Sequence, residues 1–190
     1  MLRGALAALL SIEPDIEVLG SYSDGEQALQ AVGKHRPEVL VADIEMPVMS
    51  GLELTPRVKE LYPETRVLIL TTFARPGYLR RALDAGASAY LLKDRPSEEL
   101  ADAVREVSRG ARVVDPQLAS QIWSAEKDPL TDRERVILRR AGEGETTAEL
   151  ARSLRLSEGT VRNYLSEAIS KLHASNRFEA ARIARNKGWL

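Results

Sequence analysis

The chain has 190 residues, of which 44% are hydrophobic and 29% charged, a composition typical of a globular protein with one or two domains. It contains no cysteine and only two histidines, which excludes thiolate chemistry and argues against a histidine-based metal or catalytic site. No apolar run approaches the roughly 20 residues that a membrane span needs, so we expect a cytoplasmic protein without a membrane partner.

Charge is distributed unevenly along the chain. Residues 129–190 carry 12 basic and 8 acidic side chains, whereas residues 1–128 carry 15 basic and 20 acidic ones. An acidic region suits a cation-binding carboxylate site, and a basic region suits a phosphate backbone. The difference hints at two domains with different partners.

Helix-like and strand-like segments alternate over residues 1–110. The pattern predicts helices at 2–11, 24–35, 51–61, 77–85 and 97–109, and strands at 16–20, 39–43, 66–71 and 89–93. Strands that alternate with helices of about ten residues imply right-handed βαβ units and a parallel sheet covered on both sides. We therefore predict a doubly wound α/β domain.

Three polar residues stand where predicted strands end: Asp43, Thr71 and Lys93. The carboxyl ends of parallel strands share one edge of the sheet, where ligands and reactive groups collect. A carboxylate can attack a phosphoryl donor, a lysine can pair with the added charge, and a hydroxyl can donate to its oxygens. Each residue alone has an ordinary structural explanation, but the three together predict a phosphorylation site.

Residues 1–110 resemble the receiver domains of bacterial two-component response regulators. The resemblance rests on Asp43-Ile-Glu-Met-Pro47 with Gly51, Leu70-Thr71-Thr72, Ala85-Gly86-Ala87 and Tyr90-Leu-Leu-Lys93. It implies a flavodoxin-like fold with Asp43 as phosphoacceptor and a sensor histidine kinase as partner. Thr71 would be the switch hydroxyl, Tyr90 the rotating aromatic side chain and Lys93 the phosphate-stabilising lysine.

The N-terminus departs from that family pattern. Receivers begin with a strand ending in an acidic pair that binds Mg²⁺ together with the phosphoacceptor, whereas this sequence starts at the following helix. Mg²⁺ prefers near-octahedral oxygen coordination, and only Asp43 and the backbone carbonyl of Glu45 remain to offer it. We expect this 190-residue form to accept phosphate poorly, either as a fragment or as a degenerate receiver.

Residues 111–128 show no clear periodicity and are broken at Asp115-Pro116 and at Lys127-Asp128-Pro129, which predicts a linker between domains at 1–110 and 129–190. From residue 129 the pattern is helical only. Two capping-box sequences, Thr131-x-x-Glu134 and Thr146-x-x-Glu149, begin the first two helices. A third helix runs from Ser157 to about Leu172 and a fourth follows Asn176, which predicts an all-α, four-helix domain of helix-turn-helix type.

This second domain resembles the LuxR/NarL-type DNA-binding domain. The motifs are Leu130-Thr-x-Arg-Glu134, Glu149-Leu-Ala151, Ser157-x-x-Thr160-Val161-Arg162 and Lys171-Leu172 through Asn176-Arg177. Residues 71–78 and 159–164 are in addition similar to DesR-type regulators. The resemblance implies that helix 157–172 lies in the major groove of double-stranded DNA.

The polar face of that helix supplies the candidate DNA contacts. We expect Arg162 to pair with guanine and Asn163 to contact adenine or a phosphate. Thr160 and Lys171 would contact phosphates, which position the domain without reading sequence, and Ser166 lies on the same face. The alternative is that Arg162 and Asn163 are merely solvated.

The two resemblances predict a transcriptional regulator that binds its operator as a homodimer after phosphorylation of Asp43. One alternative is a phosphorylation-independent DNA-binding regulator whose receiver serves only as a dimerisation scaffold. Another is an α/β enzyme that uses Asp43 for turnover. The absence of a catalytic second acid, a catalytic histidine or a glycine-rich phosphate loop argues against the enzyme.

Overall fold

The structure is a computed structural model that describes residues 2–72, 75–115, 118–119 and 127–190. The chain divides into two compact units. The first consists of Met1–Ala74 and Leu79–Trp123, and the second of Arg75–Tyr78 and Ser124–Leu190. Much of the predicted linker at 111–128 lies outside the described residues.

Helices and strands alternate in the described residues up to Asp115. The helices are α1 (Leu2–Ile12), α2 (Gly25–His35), α3 (Gly51–Leu61), α4 (Pro76–Asp84) and α5 (Ser97–Ser108). The strands are β1 (Val39–Ala42), β2 (Arg66–Thr71), β3 (Ala89–Leu92) and β4 (Val113–Val114), all parallel and in the order β1-β2-β3-β4. The predicted α/β fold with a parallel sheet is confirmed.

Side-chain caps explain where the helices beside the sheet begin. The carboxylate of Asp24 accepts a hydrogen bond of 2.9 Å from the backbone N–H of Gln27. Ser50 and Glu53 form a complete capping box at the start of α3. Such caps satisfy backbone donors that have no partner within the helix, and each contributes about 1 kcal/mol.

One face of the sheet forms a continuous apolar layer with α5 and α1. The fully buried members come from β2, β3 and α5, and partly buried leucines of α1 pack against them: Leu68, Leu70, Ala89, Leu91, Leu100, Ala103, Val107, Leu6 and Leu10. Burying a leucine side chain completely contributes about 1.5–3 kcal/mol. This layer therefore fixes the strands whose carboxyl ends carry the candidate site.

Two sequence-based predictions about the sheet are wrong. The segment Ile16–Gly20 forms no strand, because a strand needs a neighbour to complete its ladder and this segment pairs with none of the described strands. The strand predicted to be the last in the sheet, β3, is followed by a further strand, β4. Its two residues are too few to show periodicity, and backbone hydrogen bonds from Val113 to Ser88 (3.1 Å) and from Asp115 to Tyr90 (3.2 Å) hold it in place.

Residues 132–187 form helices α6 (Asp132–Gly142), α7 (Thr147–Leu154), α8 (Glu158–Lys171) and α9 (Arg177–Lys187), as predicted. Capping boxes at Thr131 and Thr146 begin α6 and α7, and the Ser157 hydroxyl caps α8. The helices enclose one apolar core to which α6, α7, α8 and α9 all contribute: Ile137, Leu138, Leu150, Val161, Leu165, Ala168, Ala180 and Ala184.

None of the helices in the described ranges is both long enough and apolar enough to cross a membrane.

Candidate functional site

The side chains of Asp43 and Lys93 meet at the carboxyl edge of the sheet, although they are 50 residues apart. The ammonium group of Lys93 donates a hydrogen bond to Oδ2 of Asp43. The backbone N–H of Lys93 donates to the carbonyl of Thr71 at 2.8 Å, so the end of β2 positions the lysine. The carboxylate is 30% exposed, which leaves it partly open to a reactant.

The loop after Asp43 is held close to it. The N–H of Gly51 donates to the carbonyl of Ile44 at 3.1 Å, and the Thr55 hydroxyl donates to the carbonyl of Gly51 at 2.7 Å. A Cβ atom at position 51 would lie only 2.1 Å from the carbonyl oxygen of Asp43. Only glycine therefore fits at the start of α3 while Asp43 keeps its position.

Thr71 and Tyr90 occupy neighbouring strands beneath this edge, and both are fully buried. Tyr90 is opposite Ile69 in the ladder between β2 and β3, and Thr71 is opposite Leu92. The structure thus brings Thr71 beside the backbone of Lys93. Tyr90 lies two residues earlier than Leu92 on β3, in the interior of the sheet layer.

The residues present do not fit the ligand set of a magnesium ion. Across the described ranges, no group of three or more carboxylate, histidine or cysteine side chains could hold a metal. The Asp43 carboxylate has Lys93 as its partner, and Glu45 is exposed in the following loop. One carboxylate and one backbone carbonyl fall short of the oxygen ligands from which protein magnesium sites are built.

An ion pair that the sequence did not reveal lies two residues after Lys93. Arg95 donates two hydrogen bonds of 2.8 Å to the carboxylate of Asp115, whose side chain is buried. The sequence suggested only a break in the chain at Asp115. Its partner is 20 residues away, and no local pattern relates the two.

Helix α8 has one buried and one exposed face. Val161, Leu165 and Ala168 are buried, whereas Arg162, Asn163 and Ser166 are exposed. Arg162 is 64% exposed and makes one long contact of 3.4 Å with Glu158, one helical turn earlier.

Thr160 is half-buried, and its hydroxyl lies 2.9 Å from that of Ser157 at the start of the helix.

Lys171, predicted to contact DNA phosphates, makes an ion pair inside the second unit. Its ammonium group lies 2.7 and 2.8 Å from the two carboxylate oxygens of Glu134, which is buried. Burial raises the pKa of Glu134, but hydrogen bonds from Lys171 and Thr131 outweigh that effect and leave the pKa below its usual value. The pair joins the end of α8 to the start of α6.

Two family descriptions match the chain. Residues 1–105 match the response regulator receiver domain. Residues 128–184 match the bacterial regulatory proteins of the luxR family.

Relatives and solved structures extend the similarity over the whole chain. It is 51% identical to the uncharacterised transcriptional regulatory protein YvfU and 47% identical to the transcriptional regulatory protein DesR, both of Bacillus subtilis. Each comparison covers 100% of this chain and 94% of the relative. The crystal structure of the response regulator ChrA of a heme-sensing two-component system has 34% identity and a TM-score of 0.56, with 100% of this chain and 93% of that one covered.

Proposed function

This chain belongs to the two-component response regulators that carry a LuxR-type DNA-binding domain, and we propose that phosphorylation of Asp43 by a partner histidine kinase controls its binding to an operator. We assign the receiver domain to residues 1–110, the DNA-binding domain to residues 129–190 and the linker to residues 111–128. Phosphorylated receivers would associate and present two DNA-binding domains together.

The contact between Lys93 and Asp43 is the observation that carries the proposal. It supports Asp43 as the phosphoacceptor, because the carboxylate is partly open and a cation stands ready to pair with added negative charge. Thr71, at the end of the neighbouring strand, would donate to the phosphoryl oxygens, and Tyr90 would respond by changing its packing.

The exposed face of α8 supports the DNA-binding half of the proposal. Arg162 is available for bidentate pairing with a guanine, and Asn163 and Ser166 lie on the same exposed face. Thr160 would contact a phosphate near the start of the helix. Lys171 would also contact a phosphate. In addition, its ion pair with Glu134 links α8 to α6.

A homodimer is expected because one such domain contacts little DNA. Two copies on half-sites about one helical turn apart would bind as a unit, since the second domain binds at a high effective concentration once the first is bound.

Binding to a selected operator, with and without acetyl phosphate, tests the proposal. Phosphodonor should tighten binding by the wild-type chain, and the Asp43→Ala variant should not respond. Asp102→Ala, which removes an exposed carboxylate on α5, is the control and should respond like wild type. Equal affinity of wild type and Asp43→Ala under both conditions would contradict phosphorylation control.

The lack of a magnesium ligand set among the described residues favours a second candidate function. In it the chain binds DNA without phosphorylation, and the first domain only supports dimerisation. Receiver domains of this family use Mg²⁺ for phosphorylation. Under this second candidate, acetyl phosphate should therefore label Asp43 only weakly. Stoichiometric labelling of the present form would exclude the second candidate.

Arg162→Ala tests the role of α8 in base recognition. If Arg162 reads a base, the variant should lose about 1–3 kcal/mol on operator DNA and much less on random DNA. An equal loss on both would make Arg162 a phosphate contact instead.

A further inference from the structure

The turn between α7 and α8 holds an arginine in a backbone conformation that favours glycine. Arg155 ends α7 with φ 55° and ψ 45°, in the left-handed region. Residues with a Cβ atom reach this region at a cost, and glycine is the usual choice just after a helix. A costly conformation that persists in a native chain points to a role for its side chain.

No described residue makes a contact with the Arg155 side chain that would explain its presence. Its side chain is exposed, and it makes no hydrogen bond, ion pair or ring contact with any described residue. Five other arginines of the second unit make ion pairs with carboxylates, namely Arg135, Arg140, Arg162, Arg182 and Arg185. Arg133 is exposed and, like Arg155, makes no such contact with a described residue, but it does not carry the left-handed backbone conformation.

Arg36 in the first unit provides the matching case. It too follows a helix in left-handed conformation, with φ 49° and ψ 53° at the end of α2. Its guanidinium group, however, stacks on the ring of Tyr62 at 4.4 Å from the centroid. The same backbone cost is thus offset by a contact at Arg36, but by no described contact at Arg155.

We propose that Arg155 binds a phosphate of the DNA backbone beside the groove that α8 enters. The inference rests on the proposed DNA recognition by α8. In a helix-turn-helix, the first helix crosses the backbone and the start of the second contacts the base edges. Arg155 stands two residues before Ser157, the cap of α8, and so at the junction of these two regions. A guanidinium group binds phosphate bidentately and stays charged at any physiological pH.

The variant Arg155→Gly separates a binding role from a structural one, because the two readouts move in opposite directions. Relief of the left-handed conformation should raise the urea midpoint. The ratio of folded to unfolded protein should rise about two- to fivefold. Binding to a fluorescein-labelled duplex of mixed sequence should weaken. Loss of one phosphate contact should also flatten the salt dependence, so the affinity ratio of wild type to variant changes about 3.5-fold between about 50 and 200 mM KCl.

Arg36→Gly and Arg155→Lys are the controls, and every variant is made in the 190-residue chain. Arg36→Gly makes the same backbone change in the first unit and should leave affinity and salt dependence unchanged. Arg155→Lys keeps the charge and should retain the wild-type salt dependence. Wild-type binding by Arg155→Gly, or an equal loss in Arg36→Gly, would overturn the inference. If wild type itself binds no duplex, DNA recognition by α8 fails as well. If Arg162→Ala loses operator preference while Arg155→Gly is silent, only the present inference fails.

Discussion

Two lysine–carboxylate pairs, one in each unit of the molecule, differ in how far the carboxylate is buried. Asp43 is 30% exposed beside Lys93, whereas Glu134 is 1% exposed beside Lys171. The two carboxylates therefore differ in their access to a reactant. An open carboxylate can meet a reactant, and a closed one can only hold helices together.

The two carboxylates, Glu134 and Asp43, also differ in their hydrogen bonds. Glu134 accepts hydrogen bonds from the backbone N–H of Thr131 at 2.7 Å and from Lys171. Both oxygens of the buried carboxylate therefore have a donor. Removing one partner of a buried pair leaves an uncompensated charge and is costly. A partly exposed pair is hydrated on both sides and contributes little to stability. The stability effects of single substitutions should reproduce this ranking.

Glu134→Ala should have the largest effect. It removes the carboxylate half of the capping box of α6 and the bridge to α8 together, and should lower the free energy of unfolding of the second unit by about 2–4 kcal/mol. Urea unfolding followed by circular dichroism measures it. Glu145→Ala, which breaks the more exposed pair with Arg140, is the control and should cost about 1 kcal/mol or less. Equal costs would contradict the distinction between closed and open carboxylates.

Gly51→Ala should have the next largest effect on stability. It acts on the backbone of Asp43 and leaves the charge of the carboxylate unchanged. The added methyl group collides with the carbonyl of Asp43, and the repacking should cost about 1–3 kcal/mol. The urea midpoint measures this cost. In Gly4→Ala on α1 the new methyl group meets no atom within 4 Å, and that variant should gain up to about 1 kcal/mol. A silent Gly51→Ala would mean that the loop after Asp43 adjusts freely.

Lys93→Met should change the free energy of unfolding by less than about 1 kcal/mol, because the Asp43 carboxylate stays hydrated without it. Lys171→Met should cost about 2–3 kcal/mol, since it leaves Glu134 buried without its cation. Urea unfolding of the two variants side by side provides the measurement. If both substitutions cost the same, burial of the carboxylate is not what separates the pairs.

The smallest effect concerns a third, exposed pair. A side-chain hydrogen bond from Arg105 lowers the pKa of Asp15 from 3.8 to about 2. Because the folded pKa is the lower one, the stabilisation is present above pH 3.8 and is lost as the pH falls toward 2. Asp15→Asn should therefore be slightly less stable than wild type at pH 7, and the difference should shrink as the pH falls from 3.8 through about 2. A difference that stays constant over that range would exclude the ion pair as its cause.

Local sequence signals predicted most of the helices and strands and the meeting of Asp43 with Lys93. Capping residues such as Ser157 mark helix starts within four residues, and the end of a buried strand fixes the sheet edge on which a polar residue lies. The roles of Asp43, Thr71, Tyr90 and Lys93 stay predictions, as does DNA contact by α8.

Pairings between distant residues could not be predicted in this way. Glu134 looked like a helix cap only, because its second partner is 37 residues away on another helix. Asp115 looked like a chain break for the same reason. Ile16–Gly20 had the composition of a strand, but a strand exists only where a neighbour completes its ladder.

The position of β1 at the end of the sheet order affects any measurement of self-association. Among the described strands it pairs only with β2, so Val39–Ala42 form an edge of the described sheet. Such edges promote concentration-dependent association of copies. Sedimentation of the chain with acetyl phosphate should therefore be run with the Asp43→Ala variant alongside. Association through β1 would occur in both samples, whereas the proposed phosphorylation-dependent dimers should form only with the wild type.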